Sequence, residues 1–464
     1  MLHASMLNNR LIDMKYAVRG PIVQRAQELE AQGREIIYCN IGNPQALGQH
    51  PLTYIRQTLA LIECPELLSN PKISTIIPAD IIAKAKEILQ KHPHGTGAYS
   101  HSLGIEFIRE AVAEFITRRD RIPSNKNHIF LTDGASKGVQ NVILSLLRNP
   151  NDGILIPIPQ YPLYSATLTL YGGHQIPYYL DETHEWSLNE KNLETSISEA
   201  KKNGIHPVAI AVINPGNPTG AVLTEENIQM IIRFAKKYNL AILADEVYQD
   251  NIYEKNHPFH SFAKVLVNSN EKEVALFSFH SVSKGYMGEC GHRGGYAELR
   301  NVPDDVLEQL VKLQSINLCS NIPGQLVTYL MLTPPQPADE SYQTFIKERD
   351  LIINSLKERA ALLAEGLNAI EGVSVDIPQG AMYAFVKFTL PAKKHHDDSK
   401  ENEEYCLQLL EKTGICVVPG SGFGQQPGTM HFRITFLPSK DQLEKLVKEY
   451  KRFHEEYIKE ISLS

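Results

Sequence analysis

HPVAIAVINPGNPTGAVLTEENIQMIIRFAKKYNLAILADEVY, residues 206–248, decides the fold. Its first run, VAIAVI (208–213), is apolar at every position, as expected of a strand covered by helices on both faces of a largely parallel sheet. Two prolines and two glycines in Asn214-Pro215-Gly216-Asn217-Pro218-Thr219-Gly220 then break the chain. Thr224 precedes Glu225 and Glu226, an N-cap with an acidic first turn, and Ile228, Ile231, Ile232 and Ala235 recur at helical spacing. A second apolar run, 240–247, ends in Asp245 and Glu246.

The same alternation continues on both sides. Runs bounded by turn residues occupy 128–133, 153–158, 175–180, 273–280 and 294–299. Together they predict an α/β fold whose large domain is three-layered, α/β/α, around a mostly parallel seven-stranded sheet. The C-terminal third has a different pattern. A long amphipathic helix over 340–370, strands within 373–388 and 430–436, and a last helix capped by Ser439 predict a smaller α+β domain. The expected division is an arm at 1–20, a segment at 21–75 contributing to the small domain, a cofactor-binding domain at 76–335 and the small domain at 336–464.

Composition narrows the function. The 464 residues carry 46 Lys and Arg against 53 Asp and Glu, a net charge of −7, which argues against a nucleic-acid partner. Apolar residues make up 42%, which excludes wholesale disorder, and no apolar run approaches the ~20 residues of a membrane span. Residues 1–10 lack the pattern of a secretory signal, and the six cysteines form no C-x-x-C pair, so a cytoplasmic protein with reduced thiols is expected. His92 and His94, like His395 and His396 beside Asp397 and Asp398, read as solvated loop residues, and no metal is expected. Gly420-x-Gly422-x-Gly424 reads as a flexible loop, Cys290 as a packing residue or redox-sensitive bystander, and Trp186 as packing.

Chemistry concentrates where the apolar runs end. Asp245 and Tyr248 follow one run, Asn217 another, and Ser281-Val282-Ser283-Lys284-Gly285 a third, with Arg293 nine residues after the lysine. Ligands of open α/β sheets bind at the carboxyl ends of strands, so these residues can converge on one crevice. Their types suit pyridoxal 5'-phosphate. A lysine in a cationic, partly desolvated pocket can condense with an aldehyde, and Lys284 beside Arg293 fits. Asp245 can hold the pyridine nitrogen protonated, and Tyr248 and Asn217 can donate to the ring oxygen. The Ala135 and Ser136 amides at a helix start, the Ser281 hydroxyl and Arg293 can neutralise the phosphate.

The ordered set resembles the class I and II aminotransferases of the fold type I pyridoxal-phosphate enzymes, over nearly the whole chain. Ala98-Tyr99-Ser100, with Gly104 and Arg109, is similar to the segment whose tyrosine reaches the cofactor of a neighbouring subunit. Pro159-Gln160-Tyr161-Pro162 resembles the segment whose aromatic ring stacks on the pyridine. Phe432-Arg433-Ile434 resembles the segment whose arginine grips the substrate α-carboxylate, and Gly42 matches a glycine whose backbone faces substrate. Longer stretches, including YAVRGPI (16–22), GAYSHSLGIEFIRE (97–110) and KGYMGECGHRGGY (284–296), are similar to the alanine aminotransferase group, which also has the nine-residue spacer from lysine to arginine.

The resemblance implies a catalytic Lys284 and ping-pong transfer between amino acids and 2-oxo acids, from alanine to 2-oxoglutarate. It also implies a homodimer; separately, residues 15–20 are expected to close over substrate. Glutamate–glyoxylate aminotransferases and carbon–sulfur or cyclopropane-forming lyases share much of this frame. A non-catalytic regulator would need a DNA-binding segment, and residues 1–90 contain no basic helix-turn-helix pattern.

Overall fold

The computed structural model describes residues 2–391 and 397–463, so His395 and His396 lie outside the described residues. Its main sheet has seven strands in the order Ile129–Asp133, Gly294–Arg300, Leu276–Ser281, Ala241–Asp245, His206–Ile213, Asp152–Ile158, His174–Tyr179. Gly294–Arg300 is antiparallel to both neighbours and the remaining pairs are parallel. The carboxyl ends of five strands, at 133, 158, 213, 245 and 281, therefore share one edge with the entry to Gly294–Arg300.

Both faces are buried, as the doubly apolar runs require. On His206–Ile213, Ala209, Ala211 and Ile213 face a cluster with Val139 and Ile143 of the helix Ala135–Leu146. Ile210 and Val212 face the opposite cluster with Ile228, Ile231 and Ala235 of the helix Glu225–Tyr238. Each fully buried aliphatic side chain of this size contributes roughly 1.5–3 kcal/mol, so a polar substitution on either face is disruptive. Thr224 caps Glu225–Tyr238 by accepting from the Asn227 amide at 3.2 Å.

The second sheet orders Val418–Pro419, His431–Thr435, Tyr383–Phe388 and Val373–Ser374, backed by the helices Tyr342–Asn368 and Lys440–Ser462. Two of these strands, Val373–Ser374 and Tyr383–Phe388, lie within the expected stretch 373–388. Between them the backbone pairs with the loops that follow two strands of the main sheet: Gly380 N donates to Gly220 O at 2.8 Å, and Tyr253 N to Gln379 O at 2.9 Å. A side chain on Gly380 would approach Asn251 O to 2.6 Å, so this seam needs glycine.

The N-terminal segments are shared out. Ile37–Tyr38 pairs in parallel with Ile415–Cys416, and Ala26 and Leu29 pack on Leu410 and Cys416. Thr53–Glu63 packs instead with Ala79–Lys91 and Ile322–Leu332. The short helix Asn9–Asp13 lies on Leu163–Tyr171, with Arg10 donating to Tyr171 O at 3.2 Å. Gly420–Phe423 forms a short 3-10 helix, and a Cβ on Gly422 would stand 2.3 Å from the Ala17 side chain. Close packing against the arm, not loop flexibility, is what this glycine serves. Among the described residues no helix is long and apolar enough to cross a membrane.

Candidate active site

The strand edge opens into a cavity of about 810 Å³. At one end, Ile129–Asp133 turns through Gly134 into Ala135–Leu146, whose first amides have no intrahelical partner. Gly134 has φ +72°, and a Cβ there would fall 2.4 Å from an Arg293 guanidinium nitrogen. Its absence lets Arg293 lie over the helix start, donating to Asp133 O at 3.1 Å and Ser136 Oγ at 3.2 Å. The Ser281 hydroxyl, which accepts from Ser283 N at 3.3 Å, lines the same end.

In the middle lies Asp245, 5% exposed, at the end of its strand. One carboxylate oxygen accepts from the Tyr164 hydroxyl at 3.1 Å and the other has no partner. Burial pushes this carboxyl up to about 6, against the Tyr164 hydrogen bond, the Val247 amide and the Lys284 charge. Tyr161 is hydrogen-bonded through its hydroxyl to that of Tyr16 at 2.6 Å, which carries the arm across the cavity. Lys284 Nζ donates to Gly42 O at 2.6 Å.

Arg433, on His431–Thr435, forms the far end and is 1% exposed. It donates to Asn217 Oδ1 at 3.1 Å and to Asn40 O, and its Nε has no partner. Its guanidinium is sandwiched between the rings of Tyr383 at 4.2 Å and Phe423 at 4.7 Å. Among the described residues no carboxylate pairs with it. A buried charge without an opposite partner costs several kcal/mol, so the site is built for an anion.

A hydroxyl relay joins the middle to this end. Asn217 Nδ2 donates to the Tyr248 hydroxyl, and that hydroxyl donates to Tyr383 Oη, each at 3.4 Å. Burial and the neighbouring Tyr383 push the Tyr248 hydroxyl well above the ordinary tyrosine range. Burial acts on Tyr383 in the same sense, but Lys284, Arg433 and the Tyr248 hydrogen bond outweigh it and hold its hydroxyl below that range.

These groups fit pyridoxal 5'-phosphate. The unpartnered Asp245 oxygen calls for a cationic N–H, such as a protonated pyridine nitrogen. The Gly134 gap, the helix start, Ser281 and Arg293 supply the donors a phosphate needs. Lys284 and Tyr161 line the space between.

The cavity brings together Gly42, Ala135, Ser136, Tyr161 and Asn217 from the expected set. It also gathers Asp245, Tyr248, Ser281, Lys284, Arg293 and Arg433. Tyr99 does not line it and is 77% exposed. Arg109, in the Tyr99 segment, ties Gly104 O and Lys126 O together at 3.2 and 3.0 Å. Cys290 lines the wall, its thiol 3.0 Å from Ser283 O. Sequence reasoning missed Tyr164, Tyr383 and Tyr16. Tyr164 lies three residues after Tyr161, in the first turn of the helix Leu163–Tyr171, and that closeness in sequence was the available signal.

Residues 70–449 match the family Aminotransferase class I and II. The chain is 50% identical to a probable mitochondrial alanine aminotransferase of Dictyostelium discoideum, over 96% of this chain and 87% of that protein. It is 47% identical to glutamate–glyoxylate aminotransferase 2 of Arabidopsis thaliana, over 97% and 95%. Among solved structures, the alanine aminotransferase from Pyrococcus furiosus superposes with a TM-score of 0.79 at 28% identity, over 97% of this chain and 100% of that one.

Proposed function

We propose, on the premise that the chain belongs to the class I and II aminotransferases, that it moves the amino group of L-alanine to 2-oxoglutarate, yielding pyruvate and L-glutamate. The carrying observation is the pairing in one cavity of Lys284 with a buried Arg433 that has no carboxylate partner. Enzymes of this family use pyridoxal 5'-phosphate, which supplies an aldehyde for the amine and an electron-poor ring that accepts negative charge from Cα. Arg293, Ser281 and the Ala135 and Ser136 amides would hold its phosphate, Asp245 its ring nitrogen, Tyr161 its ring face, and Asn217 and Tyr248 its ring oxygen.

The chain's own residues do the rest. Arg433 grips the α-carboxylate through a two-pronged, charge-assisted contact and fixes the orientation of Cα. Lys284 Nζ, once free of the cofactor aldehyde, takes the proton from Cα and gives it up again. Gly42 O, which accepts from Nζ, keeps the amine on this side of the cavity. Tyr16 and Tyr161, joined across the cavity, limit the entry of water. One amino acid leaves as its oxo acid before the next oxo acid enters, giving ping-pong kinetics.

Relatives named for alanine support the alanine assignment, and the 47% identical Arabidopsis protein named for glutamate and glyoxylate defines the second reading. A panel of alanine with 2-oxoglutarate against glutamate or alanine with glyoxylate, followed by pyruvate and glutamate formation, separates them. The same reading makes the protein a homodimer in which Tyr99 serves the neighbouring site, supported by the exposure of that ring away from its own chain's cavity. Sedimentation at twice the 52.1 kDa chain mass tests it. All six cysteines are free, which supports a reducing compartment, for which the cytoplasm is our proposal.

A further inference from the structure

Tyr383 belongs to a stretch that reads from sequence as plain strand, yet its side chain meets Arg433 and Tyr248 and stands over Gly42. Its ring lies 4.2 Å from the Arg433 guanidinium and meets the Tyr248 ring edge-on, with centroids 6.0 Å apart. Its hydroxyl stands directly over Gly42. A Cβ at that glycine would lie 1.8 Å from Tyr383 Oη and 3.0 Å from Lys284 Nζ, so one small gap separates both polar atoms from the same backbone point. The residue is 2% exposed, which removes water as a competing partner.

Hydrogen-bond direction gives the hydroxyl its role. The relay runs from Asn217 to Tyr248 to Tyr383, so the Tyr383 oxygen is its terminal acceptor. Lys284, Arg433, Tyr248 and Cys290 are the titratable groups that act on it. Two are cationic, and they favour electron density on this oxygen.

We infer that Tyr383 is a positioning residue for the transamination: its oxygen accepts from Lys284 Nζ as that amine becomes charged, while its ring fixes the Arg433 fork. In this step the Cα–H bond breaks, an N–H bond forms at Nζ, and the electron pair stays with the substrate carbon. The resulting ammonium needs acceptors in a water-poor cavity, and Gly42 O and Tyr383 Oη supply two. Holding the ammonium at the same place as the carboxylate fork keeps Cα within reach of the base.

The inference rests on the aminotransferase reading, but it concerns the α-carboxylate and α-proton, which every amino-acid donor has. The experiment compares wild type, Tyr383→Phe and Tyr383→Ala as holoenzymes, with both alanine and glutamate as donors. Tyr383→Phe keeps the ring and loses the acceptor. Its kcat falls about 10- to 100-fold, the range for a hydrogen bond to a charged group, while KM changes less than about threefold. The limb of its kcat–pH profile that reports the Lys284 proton shifts, and one readily ionised tyrosine disappears from the near-ultraviolet phenolate titration. Tyr383→Ala also raises KM, because the guanidinium loses its ring support. A Tyr383→Phe enzyme with wild-type kcat, pH profile and phenolate titration overturns the inference. A wild type inactive with alanine but active with glutamate overturns the alanine assignment alone, and the Tyr383 comparison is then read on glutamate.

Discussion

The Tyr164 hydroxyl donates to the Asp245 carboxylate at 3.1 Å, both residues buried, and leaves the other carboxylate oxygen unpaired. This one contact sets which oxygen is free for the cofactor nitrogen. It also opposes the rise that burial imposes on the carboxyl. Tyr164→Phe should therefore weaken cofactor retention about 10- to 100-fold, the range for one hydrogen bond to a charged group. Equilibrium dialysis of the cofactor measures it, and unchanged retention would show that Asp245 is held by packing alone.

Arg433→Lys should raise KM for alanine about 10- to 100-fold with a smaller effect on kcat, because a point charge cannot reproduce a planar fork pressed between two rings. Steady-state kinetics test this. An unchanged kcat/KM would remove the carboxylate from this end of the cavity.

Glu246, next to Asp245 but outside the cavity, gives a pH prediction. Burial pushes its carboxyl up to about 8, against Arg119 and the Phe262 amide, with Asp120 and Glu298 adding to the rise. The folded state thus keeps a proton that the unfolded chain has already released. Its contribution is fully present below the ordinary carboxylate range and is lost as pH rises through about 8. Across that window stability should fall by about 1 kcal/mol per pH unit per proton. Glu246→Gln keeps the acceptor for Phe262 N and should flatten the decline in thermal midpoint between the ordinary carboxylate range and about pH 8. An identical decline in the variant would assign it to other groups.

The sequence made the scaffold legible because burial on both sheet faces leaves a pattern. Ala209 and Ile210, facing opposite clusters, are apolar for separate reasons, and the polar residues that end such runs, Asn217, Asp245 and Lys284, stand out. Tyr383 was hidden because it lies in an apolar run and does its work through a hydroxyl, which no spacing reveals. The break before it, at 375–382, depends on backbone bonds to Gly220 and Asn251, well over a hundred residues away in sequence. Gly422 read as flexibility because its partner, Ala17, is some four hundred residues away in sequence. Arg433 was placed by resemblance alone; the structure adds its burial and its missing counter-charge.

On the proposed function, alanine becomes pyruvate in this cavity through Lys284, with no oxo acid needed for the first half of the cycle. Cofactor-loaded enzyme is therefore mixed with alanine alone. Pyruvate equal to the number of active sites is expected, then a halt until 2-oxoglutarate is added, and none from Lys284→Ala. No pyruvate from fully loaded wild type, or equal amounts from Lys284→Ala, would contradict it.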